Sequence, residues 1–428
     1  MGPNIEYIKA YLPSEEPPEI LGHMFWKLTI SATNIPYVYK GCDDKLGTLL
    51  LEYSEQLREA LNQDWDLVVI DDLFWTLGFS FATLRHRLWE KGLLPNSSPK
   101  FVVYATAGQT LLSADSVKSI GRNWVSKIPL FPYIPTNQQD YFQAKYFNHR
   151  LFNFYENAVD LITMNFYVEK FLMPNIERFG VPQFTWHELY KKCSLTLGDS
   201  LDRLGWPLAE GNDIVNVGSH CKVTATKPLT GDLAKFVEDS KSKGTIYIAF
   251  GTYAAWDFAP DYIVDAFVGA LNRLEDYRFI WGYNGRKSLP VKSHIKLVKW
   301  VPQLDVLAHP KTKAFITHGG LKSIKEGFLG LGPVLNKYTI DQQTLYSTIY
   351  KVVSTPVAEQ KAQKLKSVFL DRPMEGMDTA MFYTERLFRV PAGRRISFVR
   401  KGIDLSWLEF LYYEFLLLVI ALAWVLKH

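Results

Sequence analysis

Four short apolar runs alternate with helix-like segments through the second half of the chain, an order that few architectures can satisfy. Thr245–Phe250, Tyr277–Trp281, Ile295–Val298 and Ala314–Thr317 read as buried strands. Between the first two, Pro260–Leu274 reads as a helix with proline at its start, and Ile263, Val264, Phe267, Val268, Leu271 and Leu274 share one face of it. Strands alternating with helices imply a parallel, doubly wound α/β sheet. In such sheets ligands sit beyond the C-terminal ends of the strands. Gly251-Thr252, Trp300–Gln303 and His318–Gly320 all fall just after predicted strands.

The residue types at those places suit a phosphorylated nucleotide. Gly319 and Gly320 let the backbone approach a ligand closely, because glycine lacks Cβ and tolerates positive φ. The residues after them read as a helix start, where free N–H groups and the dipole favour phosphate. His318 and Ser323 can add donors, and Lys322 a point charge. Trp300 offers a flat face to a base, Gln303 an amide to its edge, and Glu326 a carboxylate to ribose hydroxyls. Gly251 and Thr252 are candidates for the diphosphate or sugar, and Asp341 and Gln342 for sugar hydroxyls.

The stretch from Trp300 to Gln342 closely resembles the signature of UDP-glycosyltransferases, in particular the animal UDP-glucuronosyltransferases. Its lysine-rich wording is similar to nematode members. Val217–Lys222, Phe250–Thr252, Ala308–Lys311, Phe369–Met374 and Asp404–Trp407 match in family order, so the resemblance runs from about Trp65 to the end. It implies a GT-B architecture, two facing Rossmann-like α/β/α domains with the site between them, and a C-terminal transmembrane helix. It implies transfer of glucuronic acid or glucose from UDP to a hydroxyl of a small lipophilic acceptor, with inversion. No metal or other cofactor is expected, the UDP-sugar being a co-substrate. A hydroxyl is a poor nucleophile until a positioned base takes its proton. The resemblance makes Asp71 the acid that orients a base histidine, fixing its tautomer and stabilising its imidazolium.

That histidine is expected early in the chain as Ser-His, and this sequence has no match for it. His23 is the one histidine ahead of Asp71, and Ser219-His220 matches the linker motif instead. Lys322, Gly282 and Leu331 also depart from the pattern, and the chain after Gln342 is shorter by roughly a strand and a helix. The expectation is a copy incomplete at its start and shortened in its donor domain. Two other readings follow: an inactive member that binds UDP-sugar or pairs with active transferases, and a soluble enzyme with a membrane-binding tail.

The expected division is 1–222 for the acceptor domain, 223–243 for a linker, 244–370 for the donor domain, 371–406 for helices returning to the first domain, and 407–428 for an anchor. In the first half, Leu67–Ile70 and Lys100–Ala105 read as strands, and Phe152–Phe166 and Pro174–Phe179 as helical. The aromatic segment around Phe131, Tyr133, Tyr141, Phe142, Tyr146 and Phe147 could line an apolar acceptor site or an ordinary core. Phe410–Leu426 is apolar apart from Glu414, at the short end of the spanning range, with Trp and Tyr near its ends and a basic tail. This predicts a single-pass protein with lumenal domains in the endoplasmic reticulum, although the start at Met1 lacks a signal peptide. Pro99 weakens the glycosylation sequon at Asn96. A net charge of +4 over 428 residues is too small to argue for nucleic acid, and the sequence has no basic run with interleaved aromatics. Three cysteines form neither a zinc pattern nor a disulfide framework. Oligomers with family members remain open.

Overall fold

A computed structural model describes residues 18–27, 36–71, 77–94, 98–105, 145–199, 214–218, 226–251, 254–318, 333, 335–391 and 401–427. Two parallel four-stranded sheets organise them. The first contains β1 (Leu67–Asp71), β2 (Lys100–Ala105), β3 (Cys193–Gly198) and β4 (Ile214–Asn216), side by side in chain order. Helices α1 (Pro18–Lys27), α2 (Pro36–Glu52) and α3 (Ser54–Asn62) precede it. Helix α4 (Leu77–Glu90) links β1 to β2. Between β2 and β3 lie α5 (Phe147–Ile162), a π-helical continuation (Thr163–Leu172), a short 3-10 helix (Asn175–Phe179) and α6 (Trp186–Lys192).

The apolar run of β2 is explained by burial on both faces. Phe101, Val103 and Ala105 join a core with Tyr39 of α2, Phe79 of α4 and Trp186 of α6. Val102 turns the other way, toward Leu195, Val215 and Leu387. Trp186 anchors the larger core. Its Nε1 donates to the Met164 carbonyl at 3.1 Å, and the rings of Tyr39, Phe79 and Phe184 meet it edge-on at 5.0–5.6 Å.

One buried carboxylate is held at a cost. Asp43 of α2 is 2 % exposed, and the Asn175 backbone N–H and side-chain amide both donate to its Oδ2, at 3.2 and 2.8 Å. Burial outweighs those bonds and pushes the Asp43 carboxyl from 3.8 up to about 6. A raised carboxyl binds its proton more tightly in the folded chain than in the unfolded one. Stability from this site therefore falls as pH rises from about 4 to about 6 and stays lower above. Asp43→Asn should raise the thermal unfolding midpoint at pH 8 and leave it nearly unchanged at pH 4. Equal midpoints for the two chains at pH 8 would refute this account.

The second sheet contains β5 (Thr245–Ala249), β6 (Arg278–Gly282), β7 (Ile295–Val298) and β8 (Thr312–Thr317), in the spatial order β7-β6-β5-β8. Helix α7 (Gly231–Val237) leads into it, α8 (Asp261–Asn272) joins β5 to β6, and α9 (Gln303–Ala308) joins β7 to β8. On one face Ile246, Ile248, Phe279 and Trp281 pack under Ile263, Phe267 and Leu271 of α8. The opposite face buries Tyr247 and Ile280 against Val237, Val301 and Val306. Helices α10 (Gln342–Ser354), α11 (Pro356–Leu370) and α12 (Gly376–Phe388) follow, and α12 packs on the first sheet through Leu387, Ala380 and Tyr383.

The structure adds three features that the sequence reading does not contain. The expected linker contains α7, whose Val237 is fully buried, and it is tied to the second sheet by the Arg278–Asp239 ion pair at 2.5 Å. Helix α1 joins the core of the second sheet rather than the first, with Trp26 at 3 % exposure. The C-terminal apolar run does not form one helix. Ser406 and Glu409 make a capping box on the short α13 (Trp407–Phe410), Tyr412 adopts φ +56°, and α14 (Tyr413–Lys427) starts anew with 15 residues. At about 1.5 Å per residue α14 is roughly 22 Å long, against a hydrocarbon core of about 30 Å. Among the described residues no helix is long and apolar enough to cross a membrane.

Candidate nucleotide-binding site

The strand order locates the site before any side chain is considered. The chain runs outward from β5 to β6 to β7, then returns to place β8 on the other side of β5. The reversal leaves a crevice between the C-terminal ends of β5 and β8, the place where open α/β sheets bind ligands. Ala249 pairs with Thr317 in register, so Gly251 and His318 emerge side by side.

Gly251 leaves β5 at φ +70°, a conformation that costs a residue with Cβ roughly 1–2 kcal/mol. A Cβ here would lie 3.2 Å from His318 Cε1, so glycine also lets the imidazole sit against the backbone. Burial lowers the His318 pKa and keeps the ring neutral. Its Nδ1 is buried with no hydrogen-bond partner among the described residues. A lone pair is less costly to leave in such a place than an N–H, so the proton belongs on Nε2. The Cε1–Nε2 edge of the ring lies on the Gly251 side.

Trp300 follows β7 and is 79 % exposed, a free aromatic face on the same edge of the sheet. Gln303 opens α9. Buried Tyr247 donates from its hydroxyl to Gln303 Oε1 at 3.3 Å, and Tyr247 is itself stacked on Phe315 at 5.3 Å. The carbonyl end of the Gln303 amide is thereby engaged, leaving its NH2 end as donor to a ligand.

Asp341 and Gln342 stand at the start of α10. The Asp341 carboxylate N-caps α10, accepting from Thr344 N at 2.7 Å, and these bonds lower its pKa. The Gln342 side chain lies over Gly269, and Gln343 accepts from Arg273 at 2.8 Å. Gln342 and Gln343 therefore lie along α8, at Gly269 and Arg273. Asp71 ends β1, exposed, with Tyr104 as its register neighbour. His86 has Ser98 Oγ at 3.0 Å from Nδ1 and Glu90 at 2.9 Å from Nε2, so both nitrogens are engaged. His23 packs on Phe258, ring centroids 5.0 Å apart. Thr252, Gly319, Gly320, Lys322, Ser323 and Glu326 lie outside the described residues, as do Ser219-His220 and most of the aromatic segment before Tyr146. No group of three metal-binding side chains occurs among the described residues.

Residues 110–336 match the family described as UDP-glucoronosyl and UDP-glucosyl transferase, more than half of the chain. The chain belongs to this family. It is 27 % identical over 291 residues to human 2-hydroxyacylsphingosine 1-beta-galactosyltransferase, covering 60 % of this chain and 53 % of that protein. It is 29 % identical over 318 residues to UDP-glycosyltransferase UGT5 of Dactylopius coccus, covering 66 % and 58 %. UDP-glucuronosyltransferase 2B13 of Oryctolagus cuniculus is 27 % identical over 286 residues, covering 60 % and 52 %. The chain thus spans about half the length of the curated relatives it matches. Among solved structures, the calicheamicin glycosyltransferase CalG4 aligns with a TM-score of 0.49 at 16 % identity over 80 % of this chain and 79 % of its own. The sheet order and family membership, rather than that likeness, carry the assignment of the crevice.

Nothing in the residue pattern marks Tyr247 or Phe25, whose ring stands 5.4 Å from His318. Tyr247 has the look of any strand residue. Phe25 reaches the crevice only through tertiary packing.

Proposed function

We propose that this chain binds a UDP-sugar at the β5/β8 crevice and is the donor-binding part of a glycosyltransferase. The proposed reaction moves glucuronic acid or glucose to a hydroxyl of a small lipophilic acceptor, with inversion at the anomeric carbon. One observation carries the reading: a histidine and a positive-φ glycine stand together at the switch point of a parallel sheet. Donors at that place would stabilise the diphosphate as it leaves. Trp300 would stack on the uracil, and Gln303, turned by Tyr247, would donate to its edge. Lys322, Ser323, Glu326, Thr252 and the glycine pair keep the diphosphate and ribose roles that the resemblance implies. Asp341 and Gln342 keep the sugar-hydroxyl role that the resemblance implies. Asp71 would orient the acceptor's base, and the exposed apolar α14 would seat the chain in a membrane.

The test is calorimetry with UDP and with inorganic diphosphate on the full chain in detergent. Stacking is worth about 1–3 kcal/mol per base. Trp300→Ala should therefore weaken UDP by roughly 5–150-fold and leave diphosphate unchanged. Equal losses for both ligands would remove Trp300 from the base site. No UDP binding by the folded wild type would end the donor-site reading.

A further inference from the structure

Helix α1 is far from the second sheet in sequence, yet it forms one wall of the crevice. Trp26 is the anchor: Nε1 donates to the Ala255 carbonyl at 2.8 Å, and its ring meets Phe250 at 5.7 Å and Trp256 at 5.2 Å. Gly22 lies so close to Phe258 that a Cβ would stand 2.1 Å from that ring. The anchored helix presents Phe25 to His318. Their rings are 5.4 Å apart at 80°, the edge-to-face arrangement aromatic rings favour. Phe25 is pinned in turn. Phe250 lies 6.4 Å away, the Lys337 ammonium 5.4 Å from the Phe25 ring centre, and Lys337 Nζ donates to the Phe25 carbonyl.

We propose that α1 is a clasp on the donor site and that Phe25 is a positioning residue, holding the His318 imidazole so that Nε2 serves the ligand. The inference rests on the UDP-binding reading for what Nε2 serves, but not for how the ring is held. Gly251 borders His318 on one side and Phe25 on another, and between them they leave the imidazole little freedom to swing. Without Phe25 only Phe250, 6.2 Å away, remains as an aromatic neighbour of the ring among the described residues, so the imidazole is more hydrated and freer to turn its donor from the crevice.

The test follows the imidazole directly in the full chain, with histidines labelled at Cε1 and the His318 signal assigned by its loss in His318→Asn. Wild type, Phe25→Ala and Phe25→Leu are titrated with pH, and UDP affinity is measured on the same samples. Lys337, the charged group packed on Phe25, is retained throughout. In Phe25→Ala the His318 titration should move up toward the ordinary value of about 6.5. UDP should bind about tenfold more weakly, near the net value of one hydrogen bond. Phe25→Leu preserves the cover and should stay close to wild type in both readouts, which separates positioning from damage to the fold. An unmoved His318 titration in folded Phe25→Ala overturns the clasp, whatever UDP does. A moved titration with unchanged UDP affinity overturns the positioning role. If wild type binds no UDP, the donor-site reading fails, and the titration alone decides whether α1 sets the ring.

Discussion

Trp26→Ala should destabilise the second sheet by about 3–5 kcal/mol, the range for emptying a buried aromatic site. The substitution removes a side chain that is 3 % exposed and packed against Phe250 and Trp256. It also leaves the Ala255 carbonyl without the Nε1 donor, 229 positions away in sequence. Trp300→Ala is the control. That ring is 79 % exposed, so its removal should change stability by no more than about 0.5 kcal/mol. The measurement is the denaturant midpoint of each full-length variant, followed by limited proteolysis at α1. Equal midpoints for Trp26→Ala and wild type would mean that α1 is not part of the second core. A large loss would mean that α1, distant in sequence, completes the core of the second sheet.

The regular half of the fold was legible because its strands are short, buried on both faces and separated by an amphipathic helix. Ile295–Val298 and Lys100–Ala105 appear as strands with the limits their apolar runs imply. Helix α8 starts one residue after its proline and buries the face that its spacing defines. The positions of Gly251 and His318 just after strands were legible, while their juxtaposition comes from the parallel pairing of β5 with β8. Strand order itself was not legible, as nothing local in Ala314–Thr317 says that it lies beside β5 rather than β7. β3 was hidden because Cys193–Gly198 is mixed in character and owes its state to pairing with β2. The linker concealed α7, whose Leu233, Phe236 and Val237 form a brief apolar face amid lysines. The sequence shows Asp341 and Gln342 as an adjacent pair but not their local partners, which are the α10 N-terminus for Asp341 and Gly269 of α8 for Gln342. The C-terminal run looked continuous in hydropathy, but the backbone turn at Tyr412 divides it.

His318→Ala should weaken UDP binding by about 10–150-fold, equivalent to the 1.5–3 kcal/mol of a hydrogen bond to a charged group. The pH dependence is the sharper signature. Burial holds the free imidazole below its ordinary pKa, so it is neutral at pH 7. A bound diphosphate places negative charge at Nε2 and favours the protonated ring, so the pKa must rise on binding. Binding then takes up a proton in the window between the free and bound values, and affinity increases as pH falls through that window. The same neutral ring has the opposite effect on folding. Its depressed pKa adds stability above about 6.5, which is lost as pH falls through the folded value. UDP carries a titrating phosphate of its own, so the comparison must be with His318→Asn, which keeps a donor but cannot gain a proton. Titrations in two buffers of different ionisation enthalpy would count the protons taken up. The wild type should take up more than His318→Asn near neutral pH, and its affinity should rise more steeply on acidification. Identical proton uptake and identical slopes would remove His318 from the diphosphate site. The crevice between β5 and β8 would then need another donor to explain any binding that remained.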